Sequence, residues 1–159
     1  MNIRDYHSSD LPALIALTIE TFRPLFEQHL PGQLASEVFT HDHGDWEGDY
    51  RQEVPTFFDA DNDRFVTLAE EAARIVGYVG WNITNGDSGR LEMVAVSPSA
   101  QHQGVGTALC HEVLDRLRSR GVMVVHVGTG GDMFHAPARR LYEALGFTGY
   151  PVVDYTRAL

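Results

Sequence analysis

The 159-residue sequence predicts a mixed α/β fold. Three observations carry this. Apolar residues recur at helical spacing in segments near residues 11–22, 105–117 and 138–145. Short runs rich in Val, Ile and aromatics lie between Asn/Gly/Asp/Pro clusters, as strands do. The order is strand, helices, three strands, helix, strand, helix, strand. No internal repeat or low-complexity segment interrupts it.

The first strand is predicted at Asn2–Tyr6. Ser8-Ser9-Asp10 supplies a helix cap, and Leu11, Leu14, Ile15, Thr18 and Phe22 follow on one face, with Pro24 and Pro31-Gly32 punctuating the end. Residues 33–58 read as two short helices around a polar loop. Phe65–Ala69 and Ile75–Ile83 read as strands joined by a tight turn. Asn85-Gly86-Asp87-Ser88-Gly89 is a turn cluster, and Leu91–Val96 is the next strand. After a loop, Ser97–Gln103, a helix runs from Gly104 to Arg120, with Val105, Leu109, Val113 and Leu117 as its buried stripe and Gly121 as its stop. Val122–Val127 reads as a strand covered on both faces. The glycine-rich loop Gly128–Gly131 leads to a helix at Ala136–Leu145 closed by Gly146, and Phe147–Leu159 holds one or two final strands.

Composition narrows the function. The length suits one domain with a core of its own, and 43% hydrophobic residues exclude disorder. A formal net charge of -10 excludes a nucleic-acid backbone as the main partner. No apolar run is long enough to span a bilayer, and no basic segment opens a secretory signal. The single cysteine, Cys110, forms no internal disulfide and reads as a small apolar filler, so a reducing, cytoplasmic setting is expected. All twelve basic residues are Arg, which excludes a lysine Schiff base and a P-loop lysine. Residues 37–63 hold nine acids and one base, Arg51.

The stretch Val96-Ser97-Pro98-Ser99-Ala100-Gln101-His102-Gln103-Gly104-Val105-Gly106-Thr107 sets glycines where a helix opens, so its backbone N–H groups can approach an anion. On its own, Gly-x-Gly also fits an ordinary strand-to-helix turn. A dinucleotide fingerprint needs a further glycine where Leu109 stands. In full context, Val-x-Pro followed by Gln-x-x-Gly-x-Gly resembles the acyl-CoA pyrophosphate loop of the GNAT superfamily of N-acetyltransferases. Further on, Ala138-Arg139-Arg140-Leu141-Tyr142-Glu143-Ala144-Leu145-Gly146-Phe147 resembles that family's second signature. One departure is His135, where many members carry Asn.

The resemblance implies a single GNAT-like domain over 1–159, with a mixed, mostly antiparallel sheet whose middle strands splay. It implies that Val94, Ala95 and Val96 hydrogen-bond a pantetheine arm through their backbones. Amides of Gln101, His102, Gln103, Gly104, Val105, Gly106 and Thr107 would then cradle the pyrophosphate of acetyl-CoA. Tyr142 is implied as the proton donor to the leaving thiolate; by residue pattern alone it equally fits the apolar helix face with Ala138, Leu141 and Leu145.

Direct attack on a thioester needs a neutral amine, although an alkyl amine has a pKa near 10. The oxyanion needs a donor, here a backbone N–H near Val94 or Ala95. Glu92 is the candidate base acting through water; the alternative is a solvated strand position or an ion pair with an arginine. His126 and His135 are further candidate bases, His126 also fitting a hydrogen-bonded core position and His135 a helix-start position, while Asp132 fits a helix cap. His41-Asp42-His43-Gly44-Asp45 has metal-binding residue types without a complete ligand spacing, so no metal is expected. Trp46 and Trp81 fit pocket walls or core anchors equally.

A negative 37–63 segment would concentrate cationic amines, or serve as a solubility surface. The expectation is therefore acetyl transfer to a small, cationic primary amine. A non-catalytic acyl-CoA sensor and a peptide N-acetyltransferase remain alternatives, and a homodimer fits the resemblance.

Overall fold

The computed structural model describes residues 1–159. Five strands form one sheet in the order β1-β2-β3-β4-β5: β1 (Asn2–Asp5), β2 (Arg64–Glu71), β3 (Arg74–Thr84), β4 (Ser88–Val96) and β5 (Val124–Val127). The first four pair antiparallel, and β5 joins β4 in parallel. Five α-helices flank the sheet: α1 (Leu11–Pro24), α2 (Ser36–His43), α3 (Trp46–Glu53), α4 (Val105–Ser119) and α5 (Ala136–Ala144). The mixed, mostly antiparallel sheet expected from the sequence is therefore present.

Strand alternation divides the core into two layers. On one face, Ala69, Val79, Trp81 and Leu91 meet the α4 stripe of Val105, Leu109, Val113 and Leu117. Cys110 is buried in the same layer, where lack of solvation pushes its thiol up to about 12 and leaves it a filler rather than a nucleophile. On the other face, Val66, Leu68, Tyr78 and Ala95 pack against Leu14 and Leu17 of α1, with Val54 and Phe57 beside them. The Tyr78 hydroxyl is satisfied there by Thr18 Oγ1 at 2.6 Å. Trp81 is a core anchor whose Nε1 donates to Thr67 Oγ1 at 3.0 Å.

The helix end is punctuated as read: α1 stops at Pro24, and a π turn at Leu25–His29 and a 3-10 turn at Leu30–Gly32 complete the helical stretch. Pro24 lacks the N–H that would bond back to the preceding turn, and the wider turn absorbs that loss. Two expectations need correcting. First, β5 has four residues and is not covered on both faces: Val124 and His126 are exposed, so His126 is no core histidine. Second, Phe147–Leu159 forms no strand. Pro151 cannot donate to a ladder, β5 offers only a four-residue edge, and Val152 and Tyr155 stay 70% and 91% exposed.

Candidate functional site

The site begins at an irregularity in β4. Gly80 pairs with Met93, but Trp81 pairs with Leu91, so Glu92 is an extra residue in the ladder. Such a bulge bends a strand and re-aims a side chain. On the opposite edge of β4, pairing with β5 ends at Leu91 opposite Val127. From Glu92 onward the two strands part, and a cleft of about 580 Å³ opens between them.

The register fixes which backbone groups face this gap. Ser97 N–H donates to Val76 C=O at 2.9 Å, so by antiparallel alternation Ala95 turns both amide groups toward β3. Val94 and Val96 turn theirs toward the open edge. The Val96 carbonyl is already taken by Thr21 Oγ1 at 3.2 Å and Gln101 Nε2 at 3.0 Å. Val94 thus offers a donor and an acceptor, Val96 only a donor. Ala95 is spent on the sheet, which removes it as an oxyanion donor and leaves Val94 of the two residues named for that role.

At one end of the cleft, α4 starts from Gly104 in the left-handed region at φ +82°. The side-chain amides of Gln101 and Gln103 brace the turn, Gln101 Nε2 donating to Val96 O at 3.0 Å and Gln103 Nε2 to Ser99 O at 2.8 Å. Gln103 is also the one residue of 101–107 that does not line the cleft. The lining there is Gln101, His102, Gly104, Val105, Gly106 and Thr107. The first-turn amides of α4 have no partner within the helix and carry the positive end of its dipole, so this end suits a diphosphate.

Glu92, Met93, Phe22, Phe134, His135 and Tyr142 line the same cleft. Tyr142 is only 8% exposed yet lines the cleft, with its ring 5.9 Å from Phe147, so the core and site positions coincide. Burial, and to a lesser degree Cys110 nearby, pushes the phenol above its ordinary range and keeps it protonated. Glu92 is half-buried; Asn82 Nδ2 donates to its Oε1, and Arg90 Nε lies 3.4 Å from its Oε2. Of the alternatives read for Glu92, the arginine pair is present, and the side chain lines the cleft as well. Asn82 carried no signal in the sequence, because the bulge that brings it beside Glu92 is invisible to residue spacing.

His135 opens α5. Its Nδ1 lies 2.7 Å from Asp132 Oδ2, and its backbone N–H donates to Asp132 Oδ1 at 3.1 Å. Burial alone would raise the Asp132 carboxyl, but these hydrogen bonds outweigh it and hold the group below the usual carboxylate range. Arg139 Nη1 ties the same loop by donating to Asp132 O at 2.7 Å.

No residue of 37–63 lines the cleft. Tyr50 of α3 reaches it indirectly, packing 5.5 Å from Phe22. Trp46 stacks on Phe26 at 4.8 Å and serves as a local anchor. Glu53, at the end of α3, is raised by desolvation of its carboxyl and then by the charges of Glu92 and Asp49. His41 pairs with Asp42 at 2.6 Å while His43 packs tilted against Phe26, and no group of three His, Cys, Asp or Glu side chains converges as a metal site.

An open strand edge, a helix mouth suited to a diphosphate and a buried phenol thus line one cleft. Residues 32–147 match the acetyltransferase (GNAT) family, and the chain belongs to it. It is 34% identical over 158 residues to mycothiol acetyltransferase of Thermomonospora curvata, covering 94% of this chain and 51% of that protein. The chain thus spans about half the length of that relative. It is 39% identical over 75 residues to the ribosomal protein bS18 alanine N-acetyltransferase of Escherichia coli, covering 43% and 49% of the two chains. A GNAT-family structure from Desulfovibrio desulfuricans shares the fold with TM-score 0.70 and 23% identity, covering 96% of this chain and 88% of that one. An aminoglycoside 6'-N-acetyltransferase from Acinetobacter haemolyticus shares it with TM-score 0.66 and 18% identity, covering 100% and 99%.

Proposed function

We propose that the chain transfers an acetyl group from acetyl-CoA to the primary amine of a small, cationic molecule by direct attack. The observation that carries this reading is the parting of β4 and β5 at Glu92, which joins the α4 mouth to Tyr142 in one cleft. Amides of Val105, Gly106 and Thr107, with the turn before them, bind the diphosphate. The open edge at Val94 and the N–H of Val96 take the pantetheine arm as an added strand. The Val94 N–H also stands where the thioester oxygen gathers negative charge.

The proton balance assigns the side chains. An alkylammonium loses two protons on becoming an amide, and the departing sulfur needs one. Glu92 accepts the first through water, turning the ammonium into the attacking amine. The second reaches the sulfur as C–S cleaves, with Tyr142 donating and being reprotonated from the acceptor nitrogen. A phenol held in its neutral form by burial is loaded for that donation throughout the working pH range. The chain needs no metal for this step.

The acceptor class rests on charge and on the relatives. The 37–63 segment is strongly negative, and Glu53 and Glu92 add to the field at the acceptor end. The named substrates of the similar proteins carry amines: an aminoglycoside antibiotic for one and a protein alanine for another. The latter favours a peptide amine as the second reading. No helix is long and apolar enough to cross a membrane. With spermidine as acceptor, kcat/KM for thiol release is expected to fall about tenfold between 20 mM and 200 mM salt, as steering is screened. A flat profile removes steering by the acidic segment.

A further inference from the structure

Asn82 lies on the central strand β3, paired through its backbone with Arg64 on β2 and Arg90 on β4. It is 6% exposed, and its Oδ1 is the buried side-chain polar atom left without a hydrogen-bond partner. A buried amide with half its capacity unmet weakens a core, and an apolar side chain of similar volume would pack there without that cost. The amide cannot relieve itself by turning over. Rotation by half a turn would set Oδ1 against the Glu92 carboxylate, acceptor against acceptor. The unmet oxygen is the consequence of committing Nδ2 to Glu92 Oε1.

We propose that Asn82 is the positioning residue for Glu92: its buried amide holds the bulged carboxylate aimed into the cleft, at some expense to stability. This rests on the reading of Glu92 as the base. The bulge supplies no ladder partner that would fix Glu92, so its direction depends on side-chain contacts. Arg90 on the same strand is the other positive contact, but it is half exposed and its Nε stays 3.4 Å away, a geometry water can loosen. Glu53 from α3 is the like charge close enough to interact with Glu92, and His135 and Tyr142 line the same cleft. Against Glu53, a donor on a rigid central strand does what a flexible surface arginine cannot.

The test compares the full chain with Asn82→Leu and Asn82→Ala by thermal melting, by carboxyl 13C NMR at fixed pH, and by thiol release with acetyl-CoA and spermidine. Losing the amide N–H that meets Oε1 should move the Glu92 carboxyl resonance in both variants. Asn82→Leu should melt at the parent temperature or above, while kcat falls about tenfold with KM for acetyl-CoA unchanged. The loss should vanish in a Glu92→Gln background, because Asn82 acts only through Glu92. An unmoved Glu92 carboxyl resonance in both variants, or an undiminished further loss in the Glu92→Gln background, overturns the proposal. If the parent chain releases no thiol with any amine, the acetyl-transfer reading fails, and the carboxyl resonance alone still decides whether Asn82 holds the carboxylate.

Discussion

Replacing Tyr142 by Phe should slow acetyl transfer by about 10²-fold or more while leaving coenzyme A affinity within about twofold. The substitution removes one oxygen and keeps the ring that packs against Phe147 and fills the wall of the cleft. Packing is therefore preserved and the donor alone is lost. Burial holds the phenol protonated above its ordinary range, so the parent enzyme should show no alkaline limb from Tyr142 within the usual assay range. Steady-state thiol release, with calorimetry of coenzyme A binding alongside, separates the two quantities. An unchanged kcat would take the proton donor away from Tyr142. A chain that only senses acyl-CoA would bind equally well and have no turnover to lose.

Replacing Gly104 by Val should weaken coenzyme A binding about tenfold or more without unfolding the chain. Gly104 sits at φ +82°, a conformation in which a β-branched residue is a true outlier. A Cβ there meets no atom within 4 Å, so the penalty is not a clash with the core. It is the backbone that must shift, at a cost of about 1–2 kcal/mol for an L-residue held left-handed. Since about 1.4 kcal/mol is tenfold in affinity, a misaligned first turn is enough to produce the loss. Calorimetry with coenzyme A measures it, and a melting curve checks the fold. Retention of full affinity would mean that the mouth of α4 does not hold the diphosphate.

The residue pattern made the scaffold readable where one face of each element is buried. Val105, Leu109, Val113 and Leu117 step by four and stayed the buried stripe of α4. The β3–β4 hairpin followed from its turn cluster, although β4 begins at Ser88, inside the residues read as turn, and the β2–β3 hairpin from two strand-like runs either side of a short connection. The helix mouth at Gly104 was readable because glycine is needed there for a backbone reason. What stayed hidden depends on neighbours far apart in the chain. The extra residue at Glu92 breaks the alternation from which strand faces are read, so neither the bulge nor the Asn82 contact could be deduced. The same break concealed that Ala95, unlike Val94, spends its amide on β3. At the other extreme, Val152 and Val153 look like strand residues, but propensity builds no strand beside Pro151 and a short edge. Tyr142 was ambiguous between core and site because it is both.

The claim on which the account depends is that the opening amides of α4 grip the diphosphate and so set the thioester beside Tyr142. Titrating the 15N-labelled chain with coenzyme A and following its backbone amide resonances tests this directly. The account predicts one-to-one saturation, with the largest shifts at Val105, Gly106 and Thr107 and at Val94 on the open edge. Saturation with those four amides unmoved, or no perturbation at all, would contradict it.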